Sequence, residues 1–182
     1  MAKPFIGIKK VWYGPVLTSD LTSVSDITAL ITPQSGTSTF TEVTNVHQGT
    51  WGYSQDDPSV TEYVNELTGQ PYYRDKETIG ARTINFTMGV YDFATKAALQ
   101  GGSAITSSGT ELGWKSSGNL ENVNKCIIAQ TKTGNYIVFS NASIVAKGDQ
   151  QDKNIGLGIT AVCMENETSG VSAEYMFNAV SA

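Results

Sequence analysis

The chain is poor in the residues on which most enzyme chemistry depends. Its 182 residues include one histidine, His47, and two cysteines, Cys126 and Cys163. A single imidazole cannot supply a multi-histidine relay or a multi-histidine metal site within one chain. The cysteines are far apart in sequence and lack C-x-x-C spacing, which excludes zinc knuckles and redox motifs. Both sit in apolar runs of β character, where a free thiol behaves as a small hydrophobe, so no disulfide is expected. Charge is also scarce. Charged residues make up 16% of the chain, and 17 acidic against 12 basic side chains give a net charge of −5. That balance argues against a sequence-independent grip on phosphates, which is made of Lys and Arg. No apolar run approaches the ~18 residues of a membrane span, and residues 1 to 20 hold no apolar stretch of signal-peptide length. The expected place of synthesis and folding is therefore a cytoplasm, with no membrane partner.

The remaining motif matches carry little chemistry. G-L-G-I-T-A at 156 to 161 fits a dinucleotide fingerprint in form, but it lies inside an alternating strand with no helix after it. D-Q-Q-D-K-N at 149 to 154 lacks the glycine and closing glutamate of a calcium loop and reads as a turn. Asn85, Asn141 and Asn166 sit in N-x-S/T triplets, which mean little without an export signal. If V-T-E-Y-V-N-E is extended, Glu62 and Glu66 share a face but stand roughly 13 Å apart at ~3.3 Å per residue, beyond the ~5 to 9.5 Å of a glycosidase pair. No catalytic residue, metal ligand or cofactor is nominated, and the chain is not expected to be an enzyme.

What is present is β structure. From Thr83 to Val90, Ile84, Phe86, Met88 and Val90 alternate with Thr83, Asn85, Thr87 and Gly89. The same period runs from Asn154 to Met164, with Ile155, Leu157, Ile159, Ala161 and Cys163 on one side. K-C-I-I-A-Q and Y-I-V-F-S flank T-K-T-G-N and predict a β-hairpin from Lys125 to Ser140. P-F-I-G-I-K-K-V-W-Y-G-P-V, I-T-A-L-I-T and T-F-T-E-V-T-N-V are further strand candidates, rich in β-branched and aromatic types.

One short helix is expected at D-F-A-T-K-A-A-L-Q-G-G. Asp92 suits the N-cap, Gly101 the closing position, and the side of Phe93 and Ala97, beside Ala94 and Ala98, is expected to lean on a sheet, because about two turns are unstable alone. Two stretches resist assignment. Residues 47 to 77 mix aromatics with acids and read as a long loop of functional or mobile type. Residues 101 to 119 are rich in Ser and Gly and read as a flexible excursion. The whole predicts one mainly β domain over residues 1 to 182, built from two packed antiparallel sheets as a sandwich or partial barrel.

The order of these features resembles the phage major tail proteins, the tail tube family, whose fold is shared with type VI secretion tube proteins. The likeness is carried by I-G-I-K-K-V-W-Y-G, by the long excursion between early strands, by R-T-I-N-F-T-M-G-V-Y-D-F-A-T-K-A-A-L-Q-G-G, and by the distal Y-I-V-F-S-N-A-S-I-V-A-K-G-D-Q-Q-D-K-N-I-G-L-G-I-T-A-V-C-M. It spans Phe5 to Met164 and consists of pattern and order without an invariant signature. The resemblance implies a structural virion protein, made in the bacterial host cytoplasm, that closes into rings, six copies to a ring. The rings stack into a tube through which DNA passes without specific binding, and other tail proteins are its remaining partners.

On that reading the loop at 47 to 77 reaches the adjacent ring. Trp51, Tyr53, Tyr63, Tyr72 and Tyr73 are aromatic types enriched at interface cores, and Glu62, Glu66, Asp75 and Glu77 are candidates for the lumen or the seam between rings. An acidic lumen lets DNA slide. The competing expectation is a carbohydrate-binding or adhesin-like β-sandwich with Trp12, Trp51 and Trp114 as stacking platforms.

Overall fold

The computed structural model describes residues 3–32, 38–119 and 121–179. The protein is mainly β, with antiparallel sheets and two short helices. Its centre is the hairpin of β9 (Val123–Gln130) and β10 (Tyr136–Gln151), the predicted pairing across T-K-T-G-N. Around it the main sheet runs β2 (Thr41–Glu42), β1 (Lys10–Gly14), β9, β10, β11 (Asn154–Cys163), β6 (Arg82–Met88) and β3 (Gly52–Gln55), every pairing antiparallel.

β10 is long enough to serve two sheets. Its first four residues pair with β12 (Glu174–Phe177), and from Ala142 onward it pairs with β11 instead. Between Phe139 and Ala142 its register with β9 slips. A bulge of this kind bends a strand and increases its twist. The sheet folds back on itself there, so Val11, Tyr13, Ile127 and Phe139 from one arm share a core with Ile84, Phe86, Leu157 and Ile159 from the other. The result is a sandwich whose layers share one hairpin.

The backbone left unpaired at the bend is satisfied by loops. The Leu17 amide donates to Ser140 O at 3.0 Å, the Ser140 amide to Ala173 O at 2.9 Å, and the Met164 amide to Asn141 O at 2.8 Å. Each bond removes the cost of a buried orphan polar group. Asn166 adds two side-chain bonds, donating to Leu17 O and Ser140 Oγ.

The uninterrupted apolar runs C-I-I-A and Y-I-V-F follow from burial of both faces. Ile127, Ala129, Ile137 and Phe139 face the inner core. Cys126, Ile128, Tyr136 and Val138 face a second one, roofed by Leu17, Leu21, Phe40 and Ile27. Ile27 lies on α1 (Val24–Ile31), a helix that replaces the strand expected for I-T-A-L-I-T. Its β-branched residues suggest extension, yet Val24, Ile27 and Ile31 recur at helical spacing. Asp26 Oδ2 accepts from the Thr22 amide at 2.8 Å and the Ser23 amide at 2.9 Å, and these bonds hold its carboxyl below the usual range. Two helices therefore stand where one was expected.

The other helix, α2 (Phe93–Gln100), forms where predicted. Asp92 accepts from the Thr95 amide at 2.6 Å, and the Gly101 amide donates to Ala97 O at 3.0 Å. The face it buries agrees with the expected one at Ala98 and differs from it at Phe93. Leu99 is buried, with Ala98 packed beside it against the inner core, while Phe93 is exposed. Tyr13 Oη donates to Thr95 Oγ1 at 3.1 Å on the same side.

Two segments expected to be irregular are ordered β-hairpins. Residues 101 to 119 contain β7 (Ser103–Ser107) and β8 (Thr110–Lys115), and residues 47 to 77 contain β3 and most of a pair formed by β4 (Ser59–Asn65) and β5 (Gln70–Thr78). Alternation alone misses them because their outer faces are polar and bulges break their registers. Of T-F-T-E-V-T-N-V only Thr41–Glu42 pairs.

Candidate interaction surface

The β4–β5 hairpin leaves the main sheet between β3 and β6 and pairs only with itself among the described residues. Its root is fixed. The Asp56 amide donates to Ala81 O at 2.9 Å across the two legs, and the legs approach so closely that a Cβ on Gly80 would fall 1.7 Å from Asp56 O. Only glycine fits there. At the tip, Asn65 organises the turn, accepting the Leu67 amide at its side chain (2.9 Å) and the Gly69 amide at its carbonyl (2.8 Å), with Gly69 at φ +66°.

Between root and tip the arm is exposed on both faces. Every residue of β5 is open to solvent, Tyr72 is 71% exposed and Leu67, at the tip, 95%. On one face the Tyr63 and Tyr73 rings meet with centroids 5.7 Å apart, flanked by Thr61, Asp75 and Glu77, and Thr61 Oγ1 donates to Glu77. On the other, Arg74 Nε lies 3.3 Å from Glu62 Oε1. Residues 56 to 77 carry six carboxylates against two cations, so this arm holds most of the chain's negative excess.

Seven of the nine residues singled out from the sequence are thereby brought together: Glu62, Tyr63, Glu66, Tyr72, Tyr73, Asp75 and Glu77. Glu66 lies in the tip turn, beyond the end of β4 at Asn65, so it does not share a strand face with Glu62. Trp51 and Tyr53 are elsewhere. Trp51 stacks on Phe86 (centroids 6.4 Å, interplanar angle 29°), and Tyr53 leans on Phe139 at 6.2 Å.

Tyr53 belongs to a cluster that the sequence reading did not find. Its hydroxyl donates to Glu174 Oε1 at 2.8 Å, and Arg82 Nη1 donates to Glu174 Oε2 at 2.7 Å. The three side chains close the seam between β3–β6 in one arm and β12 in the other. Burial, reinforced by the acceptor at Glu174, pushes the Tyr53 phenol up to about 12. Residues separated this widely in sequence are joined only by the fold.

The remaining reactive groups are committed to packing. Burial raises the Cys126 thiol and pushes Cys163 up to about 11, so neither is a thiolate at neutral pH. His47 is a loop residue whose amide donates to Thr87 O at 2.7 Å and whose Nε2 lies 3.2 Å from Asp152 Oδ2. Among the described residues no three His, Cys, Asp or Glu side chains gather as a metal ligand set, and no helix is long and apolar enough to cross a membrane.

The tryptophans do not form a shared platform. Trp12 is buried and Trp51 is stacked internally. Trp114 borders a cleft of about 340 Å³ between α2 and β10, but Lys96 Nζ sits 4.3 Å over its ring and its Nε1 donates to Gly101 O at 2.9 Å. No protein-family model and no curated protein sequence matches the chain.

Proposed function

We propose that the protein is a self-assembling structural subunit of the phage tail tube type, part of a virion tail and not an enzyme, whose copies close into rings and stack into a hollow tube that DNA traverses. The observation that carries this reading is the β4–β5 arm. An isolated two-stranded hairpin is at best marginally stable in water, and this one exposes three tyrosines and a leucine without packing on its own body. Such a surface fits a protein partner. Sandwich edges that invite strand pairing and a symmetric closure that covers them belong to the same design. The carboxylates concentrated on the arm support a lumen or seam that does not hold DNA, since retention needs the opposite charge.

Negative-stain electron microscopy and sedimentation velocity across a concentration series test the reading. Rings or tubes with an axial channel are the expected result. A protein that remains monomeric in its producing cells and at every concentration tested, or that retards duplex DNA at moderate salt, defeats it.

A further inference from the structure

We propose that the acidic, tyrosine-bearing arm of one copy docks on a basic apolar patch of a second copy, formed by residues 3–9 and the β9–β10 turn. This rests on the self-assembly reading above and names the surface that the arm meets.

The patch is irregular chain held in a fixed shape. The Lys9 amide donates to Gln130 O at 2.7 Å and the Lys132 amide to Ile6 O at 3.0 Å. Thr133 Oγ1 donates to Pro4 O at 2.6 Å, and the Nδ2 of buried Asn135 donates to Lys3 O at 2.7 Å. Three bonds from the turn and one to the end of β9 tie down a segment with no strand of its own. A surface already ordered loses little entropy when a partner arrives.

Its chemistry is the complement of the arm's. Lys3, Lys9 and Lys132 are exposed, and among the described residues no carboxylate lies within 4.0 Å of any of them, whereas the adjacent Lys10 is engaged by Glu42 at 3.0 Å. Phe5 and Ile6, 41% and 55% exposed, stand among these lysines. The arm offers Glu66, Asp75 and Glu77 with Tyr63, Tyr73 and Leu67. Each side thus presents like charge around apolar groups, and the two signs are opposite.

The two surfaces occupy different parts of the fold, one beyond the β3–β6 end and one at the β9–β10 turn. A contact between different patches of identical molecules is heterologous, and it either closes into a ring or extends as a filament. That is the geometry a tube requires.

Charge exchange tests the pairing in the full-length protein. One variant carries Glu66→Lys, Asp75→Lys and Glu77→Lys, and a second carries Lys3→Glu, Lys9→Glu and Lys132→Glu. All six side chains are exposed, and unchanged circular dichroism and melting show that each variant is folded. Like-charge contact is unfavourable, so sedimentation velocity at low ionic strength is expected to show self-association weakened by about a hundredfold in each variant alone. An equimolar mixture of the two is expected to assemble, as is a single chain carrying all six changes. Triple variants that assemble like the unmodified protein overturn the docking while self-assembly stands, as does failure of both the mixture and the six-fold variant. An unmodified protein that never self-associates removes the docking together with the reading on which it rests.

Discussion

Two hairpins lie outside the main sheet, and the body treats them differently. β7–β8 is fastened to α2. Trp114 donates to Gly101 O and receives Lys96 over its ring, while the Glu111 carboxylate accepts the Phe93 and Ala94 amides at 2.9 and 3.1 Å, capping the helix N-terminus from outside. Among the described residues β4–β5 has no such return contacts, and its tyrosines are exposed. The arm is also the longer of the two, with strands of 7 and 9 residues against 5 and 6. One indole and one carboxylate on β8 suffice to make that hairpin part of the body, and the three tyrosines of the arm make no comparable return contact. An exposed apolar surface on a projecting element is better explained by a partner than by the fold that carries it.

The most severe way to break the comparison is to remove the arm. Replacing residues 59 to 78 with a short Gly-Ser turn is expected to abolish assembly in sedimentation velocity and leave the melting temperature of the body within about 2 °C, because surface changes away from packed features are nearly neutral. A collapse of the body would show that the arm supports it after all.

The seam at the root of the arm comes next. Arg82→Ala leaves Glu174 largely buried with Tyr53 as its one remaining side-chain donor, and is expected to cost about 2 to 3 kcal/mol in urea unfolding. Trp114→Ala is expected to cost about 2 kcal/mol by removing a half-buried indole with its hydrogen bond and cation contact. The matching change on the arm, Tyr73→Ala, is expected to cost the isolated subunit less than about 0.5 kcal/mol. Equal costs at these two positions would erase the distinction between the hairpins.

A smaller effect is the response of the seam to alkali. The Tyr53 phenol ionises near 10 when unfolded and about 12 when folded, so the folded state binds its proton more tightly. Its contribution to stability is complete below pH 10 and is lost as pH rises toward 12. Because Tyr136, Tyr175 and Cys163 are also raised, the test is a difference. Melting of Tyr53→Phe is expected to decline less steeply over that window than melting of the unmodified chain, and parallel curves would contradict the assignment.

Much of the sandwich was legible in the sequence. The alternation through Ile84, Phe86 and Met88, the period through Leu157, Ile159 and Ala161, the β9–β10 hairpin and the capped α2 all depend on local spacing, and all formed. α1 was missed because the β-branched content of I-T-A-L-I-T outweighed a legible signal, the S-x-x-D start at Ser23 and Asp26. The two outer hairpins were missed because their alternation is interrupted by bulges and their faces are wet. For the arm, composition had already marked residues 47 to 77, but nothing local indicated that Trp51 and Tyr53 turn inward while Tyr63, Tyr72 and Tyr73 remain outside.

The sequence by itself determined the extension of β6, β9, β10 and β11, the capping of α2, and the scarcity of groups able to do chemistry, because propensity, alternation and residue counts act over a few neighbours. Only the tertiary structure decided the fold-back at Ser140 and Asn141, the meeting of Tyr53 and Arg82 with Glu174, and the stranding of an acidic tyrosine arm away from its own core. Those outcomes depend on which distant strands compete for the two edges of β10, and long-range pairing is settled by the packing of the whole chain.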